Sequence, residues 1–238
     1  MANTYFQFKQ FRVEQDRCAM KVCTDSCVFG AYLNVAGAKR VLDIGAGTGL
    51  LSLQVAQRTE ATIDAVEIHP EAQLQATENF AASPWADRLT LHPLSLQQYA
   101  AQHHLPYDVI LSNPPFFLAS LKSDSAAKNT AKHTGDLFFE DILQFAQAHL
   151  SSNGCLYLLL PPAEALYFEK SAAEHKLYLS ETIAVYTYVG GKCIRHIQTF
   201  GRVPIEAPVT KQFYIRQQDK TTYTPEFVAL LQPYYLHL

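Results

Sequence analysis

The chain has 238 residues, 48% of them apolar, and a formal net charge of -3. That is enough apolar material for a sizeable core, and the charge balance excludes a uniformly basic nucleic-acid binder while leaving room for local basic patches. No stretch approaches the ~18 apolar residues of a membrane span, and Met1 to Gln10 lacks the apolar centre of a secretory signal, so the expectation is a cytoplasmic enzyme with no membrane partner. The cysteines Cys18, Cys23, Cys27, Cys155 and Cys193 contain no C-x-x-C pair and lie near no well-placed His. They read as small buried or half-buried residues, not as a metal site or a disulfide framework.

Residues 1–40 are too few for a separate globular domain and read as a flap over the site that follows. From Arg40 the pattern alternates between strand and helix, the signature of a parallel sheet with crossover helices. Arg40–Ile44 is a short buried strand. Thr48–Arg58 carries helical apolar spacing at Leu50, Leu51, Leu53, Val55 and Ala56. Ala61–Ile68 is the next strand, and Pro70–Ala81 a helix with Pro in its first turn. Arg88–His92 is a strand, Leu96–Gln102 a short helix and Tyr107–Ser112 a fourth strand. Leu137–Leu150 is an amphipathic helix closed by Asn153-Gly154, and Cys155–Leu160 is a strand buried on both faces. Ala163–His175 is helical. Tyr178–Val189 and Cys193–Val203 form an antiparallel hairpin through Gly190-Gly191. Gln212–Arg216 is a strand, and Pro225–Leu238 an aromatic helix that packs back. His103-His104 reads as a polar loop pair and Trp85 as a packing residue.

Two segments carry chemistry. The first is Val41-Leu42-Asp43-Ile44-Gly45-Ala46-Gly47-Thr48-Gly49, where three alternating glycines let the backbone turn sharply and approach a ligand. A dinucleotide loop would have Gly at Leu50, and a phosphate loop would end in G-K-[ST]. Neither condition holds, so the ligand lacks a pyrophosphate seated on the helix. Asp43, at the helix start, can receive an ammonium, and Glu67 at the end of the second strand can accept hydrogen bonds from both hydroxyls of a ribose. This D-x-G-x-G-x-G loop with its strand-end Glu resembles the class I S-adenosylmethionine-dependent methyltransferases. The resemblance implies a Rossmann-like α/β fold with a mostly parallel seven-stranded sheet flanked by helices and an antiparallel C-terminal hairpin. It implies S-adenosyl-L-methionine as cofactor, with Asp43, Gly45, Gly47, Gly49 and Glu67 holding it. Where the family often has an acid that meets adenine, this chain reads Leu94-Ser95-Leu96-Gln97; the expected contact is the Leu96 backbone, with the Ser95 hydroxyl or the Gln97 amide nearby.

The second segment is Asn113-Pro114-Pro115-Phe116, directly after the fourth strand. The Asn113 side-chain oxygen and the Pro114 carbonyl can each accept a hydrogen bond from an NH2 group. That draws a delocalised nitrogen toward tetrahedral geometry and aims its lone pair at a methyl donor. Phe116 offers a stacking face, and the enzyme's main work is alignment. Enzymes sharing N-P-P-[FY] methylate adenine amino groups, a guanine exocyclic amine or a glutamine amide. The segment Phe8-Lys9-Gln10-Phe11-Arg12-Val13-Glu14-Gln15-Asp16-Arg17-Cys18-Ala19-Met20-Lys21-Val22, running into Thr24-Asp25, separates them. With Lys132-His133-Thr134 and Tyr234-Tyr235, it resembles the bacterial tRNA1(Val) adenine-37 methyltransferases along nearly the whole chain. The resemblance implies methylation of the adenosine 3′ of a valine anticodon, and places Thr24 and Asp25 against the cofactor pocket. Cys23 and Ser26 depart from it, since glycine is frequent at both positions.

Between Ser120 and Gly135, directly after the catalytic loop, Lys122, Lys128, Lys132 and His133 face only Asp124 in acidic charge. Any one lysine is more often a solvated surface charge, but a cluster beside the site reads as RNA contact. One domain is expected over 1–238, with the flap at 1–40 and the catalytic core at 41–238. The enzyme alternatives are a methyltransferase for a protein glutamine or for another RNA. The alternative outside enzymes is a cofactor-binding RNA chaperone, for which an amine clamp would have no use.

Overall fold

The computed structural model describes residues 3–18, 20–102, 105–114 and 138–238. Its centre is an eight-stranded sheet in the order β10-β8-β9-β7-β6-β3-β4-β5. The strands are β3 (Arg40–Ile44), β4 (Thr62–Val66), β5 (Leu89–His92), β6 (Tyr107–Ser112), β7 (Leu150–Leu160), β8 (Tyr178–Tyr188), β9 (Cys193–Gly201) and β10 (Val209–Arg216). Only β9 runs antiparallel to its neighbours β7 and β8; every other pairing is parallel. The seven strands of the expected sheet are present with the antiparallel hairpin through Gly190-Gly191, and β10 adds an eighth at the edge.

Helices cover both faces. On one side α1 (Thr24–Tyr32), α2 (Leu50–Ala56), α3 (Pro70–Ala81) and α7 (Pro225–Leu231) bury Val28, Leu53, Phe80 and Phe227 against Val41, Ile63, Val109 and Ile197. On the other, α4 (Leu96–Gln102), α5 (138–149) and α6 (Pro162–Glu174) bury Tyr99, Ile142 and Phe168 against Leu42, Ile110, Leu158 and Phe200. Alternation along each strand supplies both cores: Val41 faces one, Leu42 the other. Among the described residues no helix is long and apolar enough to cross a membrane.

Two sequence readings shift. The helix expected to close at Asn153-Gly154 gives way earlier, because β7 begins at Leu150 and its register against β6 is broken between Tyr107 and Val109. A Cβ on Gly154 would lie 2.9 Å from the Tyr107 carbonyl oxygen. Glycine here permits close backbone approach inside a bulged strand, instead of ending a helix. The tail helix is also shorter than expected and stops at Leu231.

Residues before Arg40 are more ordered than a flap without regular elements. Strands β1 (Tyr5–Gln7) and β2 (Arg12–Glu14) pair antiparallel, and α1 follows. Phe8, Phe11 and Val13 are buried, each contributing roughly 1.5–3 kcal/mol by burial. Phe8 bridges to Tyr235, and Lys9 N–H donates to the Tyr234 carbonyl at 2.8 Å. Trp85 meets Phe11 edge to face, the packing role expected of it. Asn79, on α3, fastens the hairpin like an extra strand. Its Oδ1 accepts from Glu14 N–H at 2.9 Å, and its Nδ2 donates to the Glu14 and Thr48 carbonyls at 2.9 and 2.8 Å. The N-terminal segment is thereby tied to the glycine loop.

Candidate active site

The chain leaves β3 toward β4 and β5 on one side and returns to β6 on the other. The strand order therefore reverses between β3 and β6, and a crevice opens beyond their C-terminal ends, where ligands of open α/β sheets bind. The glycine loop follows β3 and Asn113 follows β6, so both segments singled out in the sequence flank that crevice. Ser112 Oγ donates to the Ile44 carbonyl at 2.7 Å and joins the two strand ends.

Gly45, Gly47 and Gly49 all have left-handed backbones, with φ of 76, 57 and 79°. At Gly49 the requirement is double, because an added Cβ would lie 2.4 Å from the Phe80 ring. Gly49→Ala should lower stability by about 2–4 kcal/mol, combining backbone strain and overpacking. Gly37→Ala serves as the control, since Gly37 has φ 73° and open space around it. Parallel thermal melts read the difference; equal losses in the two variants would remove the Phe80 contact from the account.

Asp43 is fully buried at the end of β3. No side chain caps α2 at Gly49; instead, Asp43 Oδ2 accepts from Ser52 N–H at 3.2 Å and Ser52 Oγ–H at 2.7 Å. The carboxylate thus serves the start of α2 from within, near the positive end of its dipole. Its Oδ1 is buried with no hydrogen-bond partner among the described residues. Burial raises the Asp43 carboxyl to about 7, opposed by the Ser52 hydrogen bonds and aided by the nearby Glu67 charge.

Glu67 follows β4 and is 5% exposed. Its Oε2 accepts from Gly47 N–H at 2.8 Å, and its Oε1 accepts from the N–H groups of Ile68 and His69 at 2.8 and 2.9 Å. A carboxylate offers about four acceptor sites, so one further hydrogen bond fits without displacing these three. A second ribose hydroxyl would have to displace one of the three.

Asn113 Nδ2 donates to Ser26 Oγ at 3.0 Å, while Asn113 Oδ1 is buried and has no partner among the described residues. Pro114 beside it is buried; Pro115 and Phe116 lie outside the described residues, as do Lys122, Lys128, Lys132 and His133. The two departures from the family pattern meet here. Cys23 Sγ and Ser26 Oγ are 3.0 Å apart, so side chains in place of glycine set the orientation of the Asn113 amide. Asp25 accepts from Ser26 N–H at 3.1 Å and pairs with Arg195 Nε of β9 at 2.9 Å. It thus anchors α1 to the sheet beside Asn113. Thr24 is exposed at the first turn of α1.

Leu96 begins α4 with its side chain in the second core. Ser95 Oγ accepts from Gln98 N–H at 3.2 Å and Gln98 Oε1 from Ser95 N–H at 3.0 Å, a reciprocal capping box. The Gln97 amide donates to Asp141 of α5. Of the adenine contacts expected here, the Ser95 and Gln97 side chains are thus already engaged. Sequence reasoning also passed over Ser52, Asn79 and Ser112, and named Ser26 only as a departure from the family pattern. Ser52 had a signal, three positions beyond a helix start that carries no side-chain cap. No cluster of His, Cys, Asp or Glu suited to a metal ion occurs among the described residues, and the five cysteines are free, with Cys27 buried and the others half-buried.

The methyltransferase small domain family matches residues 18–165. A tRNA1(Val) (adenine(37)-N6)-methyltransferase from Dyadobacter fermentans is 44% identical over 98% of both chains. One of the same description from Cytophaga hutchinsonii is 43% identical over the full length of both. The chain belongs to this family. It is a methyltransferase, and the class I Rossmann-like fold agrees with solved structures that are similar in shape alone. A predicted O-methyltransferase from Agrobacterium tumefaciens superposes with a TM-score of 0.64 at 18% identity, covering 88% of this chain and 96% of that one. A ribosomal protein L11 methylase from Lactobacillus delbrueckii does so at 0.58 and 16%, covering 80% and 83%.

Proposed function

We propose that the protein methylates the exocyclic amino group of adenosine 37 in tRNA1(Val), using S-adenosyl-L-methionine. The observation that carries this reading is Asn113 Oδ1, a buried acceptor at the reversal point of the sheet with no hydrogen-bond partner among the described residues. A buried unpartnered acceptor is destabilising, and an amine N–H satisfies it. The full-length relatives support the choice of amine, since their names specify adenine N6 of tRNA1(Val).

The cofactor side of the crevice fits by the same criterion. Asp43 Oδ1 is a second buried acceptor without a partner among the described residues, suited to an ammonium, and a Cβ on Gly45 or Gly47 would project into open space, where a ligand can lie against the backbone. When bound, S-adenosylmethionine supplies a methyl group activated by its sulfonium. The protein's residues do the rest. Asp43 and the loop at Gly45, Gly47 and Gly49 hold the amino-acid end, Glu67 offers its remaining acceptor site to a ribose hydroxyl, and the Leu96 backbone borders the base. Thr24 and Asp25 close the pocket from α1. Asn113 and the Pro114 carbonyl hold the target nitrogen, Phe116 stacks on the adenine, and Lys122, Lys128, Lys132 and His133 meet phosphates. The chain from 1 to 238 acts as one domain in this reading.

The test offers labelled S-adenosylmethionine with tRNA1(Val), the same tRNA carrying G37, and a release factor. Label should enter only the A37 tRNA, and nucleoside digestion should return N6-methyladenosine. Label in the protein or in the G37 transcript would overturn the reading.

A further inference from the structure

The far end of the sheet carries a second surface beside the crevice. Strand β8 runs parallel to β7, because both are antiparallel to β9, and β10 runs parallel to β8. The C-terminal ends of β8 and β10 therefore point the same way as the end of β6, and because Ser112 is level with Thr182 they extend beyond the rim at Asn113. Three aromatic rings stand on this extension. Tyr186 and Tyr214 are register partners, stacked with ring centroids 4.9 Å apart. They project from the face opposite the buried Val185, Phe213 and Ile215. Tyr188 follows on the same strand, and all three rings are half-buried.

A cation is held over this group. Lys220 Nζ lies 4.7 Å from the Tyr188 ring centre. Lys220 itself has φ 65°, a left-handed conformation that strains a residue with a Cβ and that glycine or asparagine would adopt with less strain. The exposed turn nevertheless carries an ammonium there. The neighbouring Asp219 stays ionised, with its carboxylate held in the turn by the N–H groups of Thr221 and Thr222 and the Thr222 hydroxyl, so acid and ammonium sit side by side on different partners. Lys192, exposed in the β8–β9 turn, adds a second positive charge.

We infer that Tyr186, Tyr188, Tyr214 and Lys220 form a stacking platform for single-stranded RNA. On it rests a base of the anticodon loop a few nucleotides from the target, while Lys220 and Lys192 hold the connecting phosphates. This rests on the proposed tRNA reading. Strands stand about 4.8 Å apart, which puts β8 about 14 Å and β10 about 19 Å from β6 across the sheet, and the rings lie four to six residues, about 13–20 Å, beyond the level of Ser112. The platform is thus too far to touch the target base and near enough to read its neighbours. Aromatic faces with adjacent cations are the usual apparatus for unpaired nucleotides.

The test reads binding of a tRNA1(Val) anticodon stem-loop without methyl donor, beside methylation of the same stem-loop. Tyr186→Val with Tyr214→Val keeps β-forming side chains and removes both rings; Tyr186→Phe with Tyr214→Phe keeps the rings. The valine pair should weaken stem-loop binding about ten-fold with cofactor affinity unchanged, and the phenylalanine pair should restore it. Lys220→Gly relieves the backbone, so it should melt no lower than the parent while binding the stem-loop more weakly and with a shallower salt dependence. Unchanged stem-loop binding in folded valine and glycine variants would overturn the platform. So would loss of cofactor affinity in step with RNA affinity, the mark of a scaffold defect. Failure of the parent to methylate the stem-loop would count against the functional reading alone, because the platform is read from binding.

Discussion

Asn113→Ala is expected to lower single-turnover methyl transfer by about 10²–10³-fold, the scale of losing a preorganised hydrogen-bonding group in a desolvated site. Cofactor affinity should stay within two-fold. The reason lies in the two ends of one amide. Nδ2 is fixed by Ser26 Oγ, and Oδ1 is held buried without a partner among the described residues. Such an acceptor makes no contribution to the resting fold and destabilises it on the order of 1 kcal/mol or more. Alanine removes that penalty along with the chemistry. The thermal midpoint should therefore hold or rise while turnover collapses, the opposite of a residue kept for packing. Ser26→Ala separates holding from contact: it leaves Oδ1 in place but frees the amide to rotate, so a smaller loss, about ten-fold, is expected. Rapid-quench kinetics, calorimetry with S-adenosylmethionine and thermal melts together decide the matter. An Asn113→Ala variant that turns over like the parent, or that loses stability in proportion to activity, would take Asn113 out of the reaction.

What the sequence revealed and what it hid divide along a physical line. Positions whose residue type is forced by backbone geometry were legible: Gly49 has both a left-handed φ and a ring against it, and Pro70 begins α3 where the missing N–H costs nothing. Strands buried on both faces announced themselves as apolar runs, as in Leu156–Leu160. Long-range hydrogen bonds from small polar side chains left no periodic signal. Asn79 joins β2 to the glycine loop, Ser112 joins β6 to β3, and Ser26 meets Asn113 across 87 positions; each is an ordinary residue until the fold brings its partner near. Gly154 misled because glycine after a helical stretch has two uses, a helix stop and a close approach, and only the Tyr107 carbonyl tells them apart. Glu67 stands just after β4, and its backbone partners leave no sequence signal: the Gly47 N–H reaches it only once the glycine loop has turned back, and the Ile68 and His69 N–H groups only in the turn that follows the strand.

Asp43 predicts a pH dependence whose sign is fixed by burial. Its carboxyl stands at about 7 in the folded chain without ligand, against roughly 3.9 when unfolded. Between those values the folded protein holds a proton that the unfolded chain has released. The stabilising term is complete below about pH 4 and is lost as pH rises through 7, roughly 4 kcal/mol from this group alone. Asp43→Asn keeps an acceptor for Ser52 and cannot ionise, so that component of the fall in stability should vanish from its urea melts. The same substitution tests the cofactor side. An ammonium placed against Oδ1 favours the carboxylate, so binding S-adenosylmethionine near pH 6 should release a proton. Calorimetry in two buffers of different ionisation enthalpy measures that release directly. In Asp43→Asn the release should disappear and affinity should fall by about 10²-fold, the worth of a buried charge-assisted pair. Proton release that persists in the variant, or affinity equal to the parent, would mean that the ammonium sits elsewhere and that Asp43 serves only the start of α2.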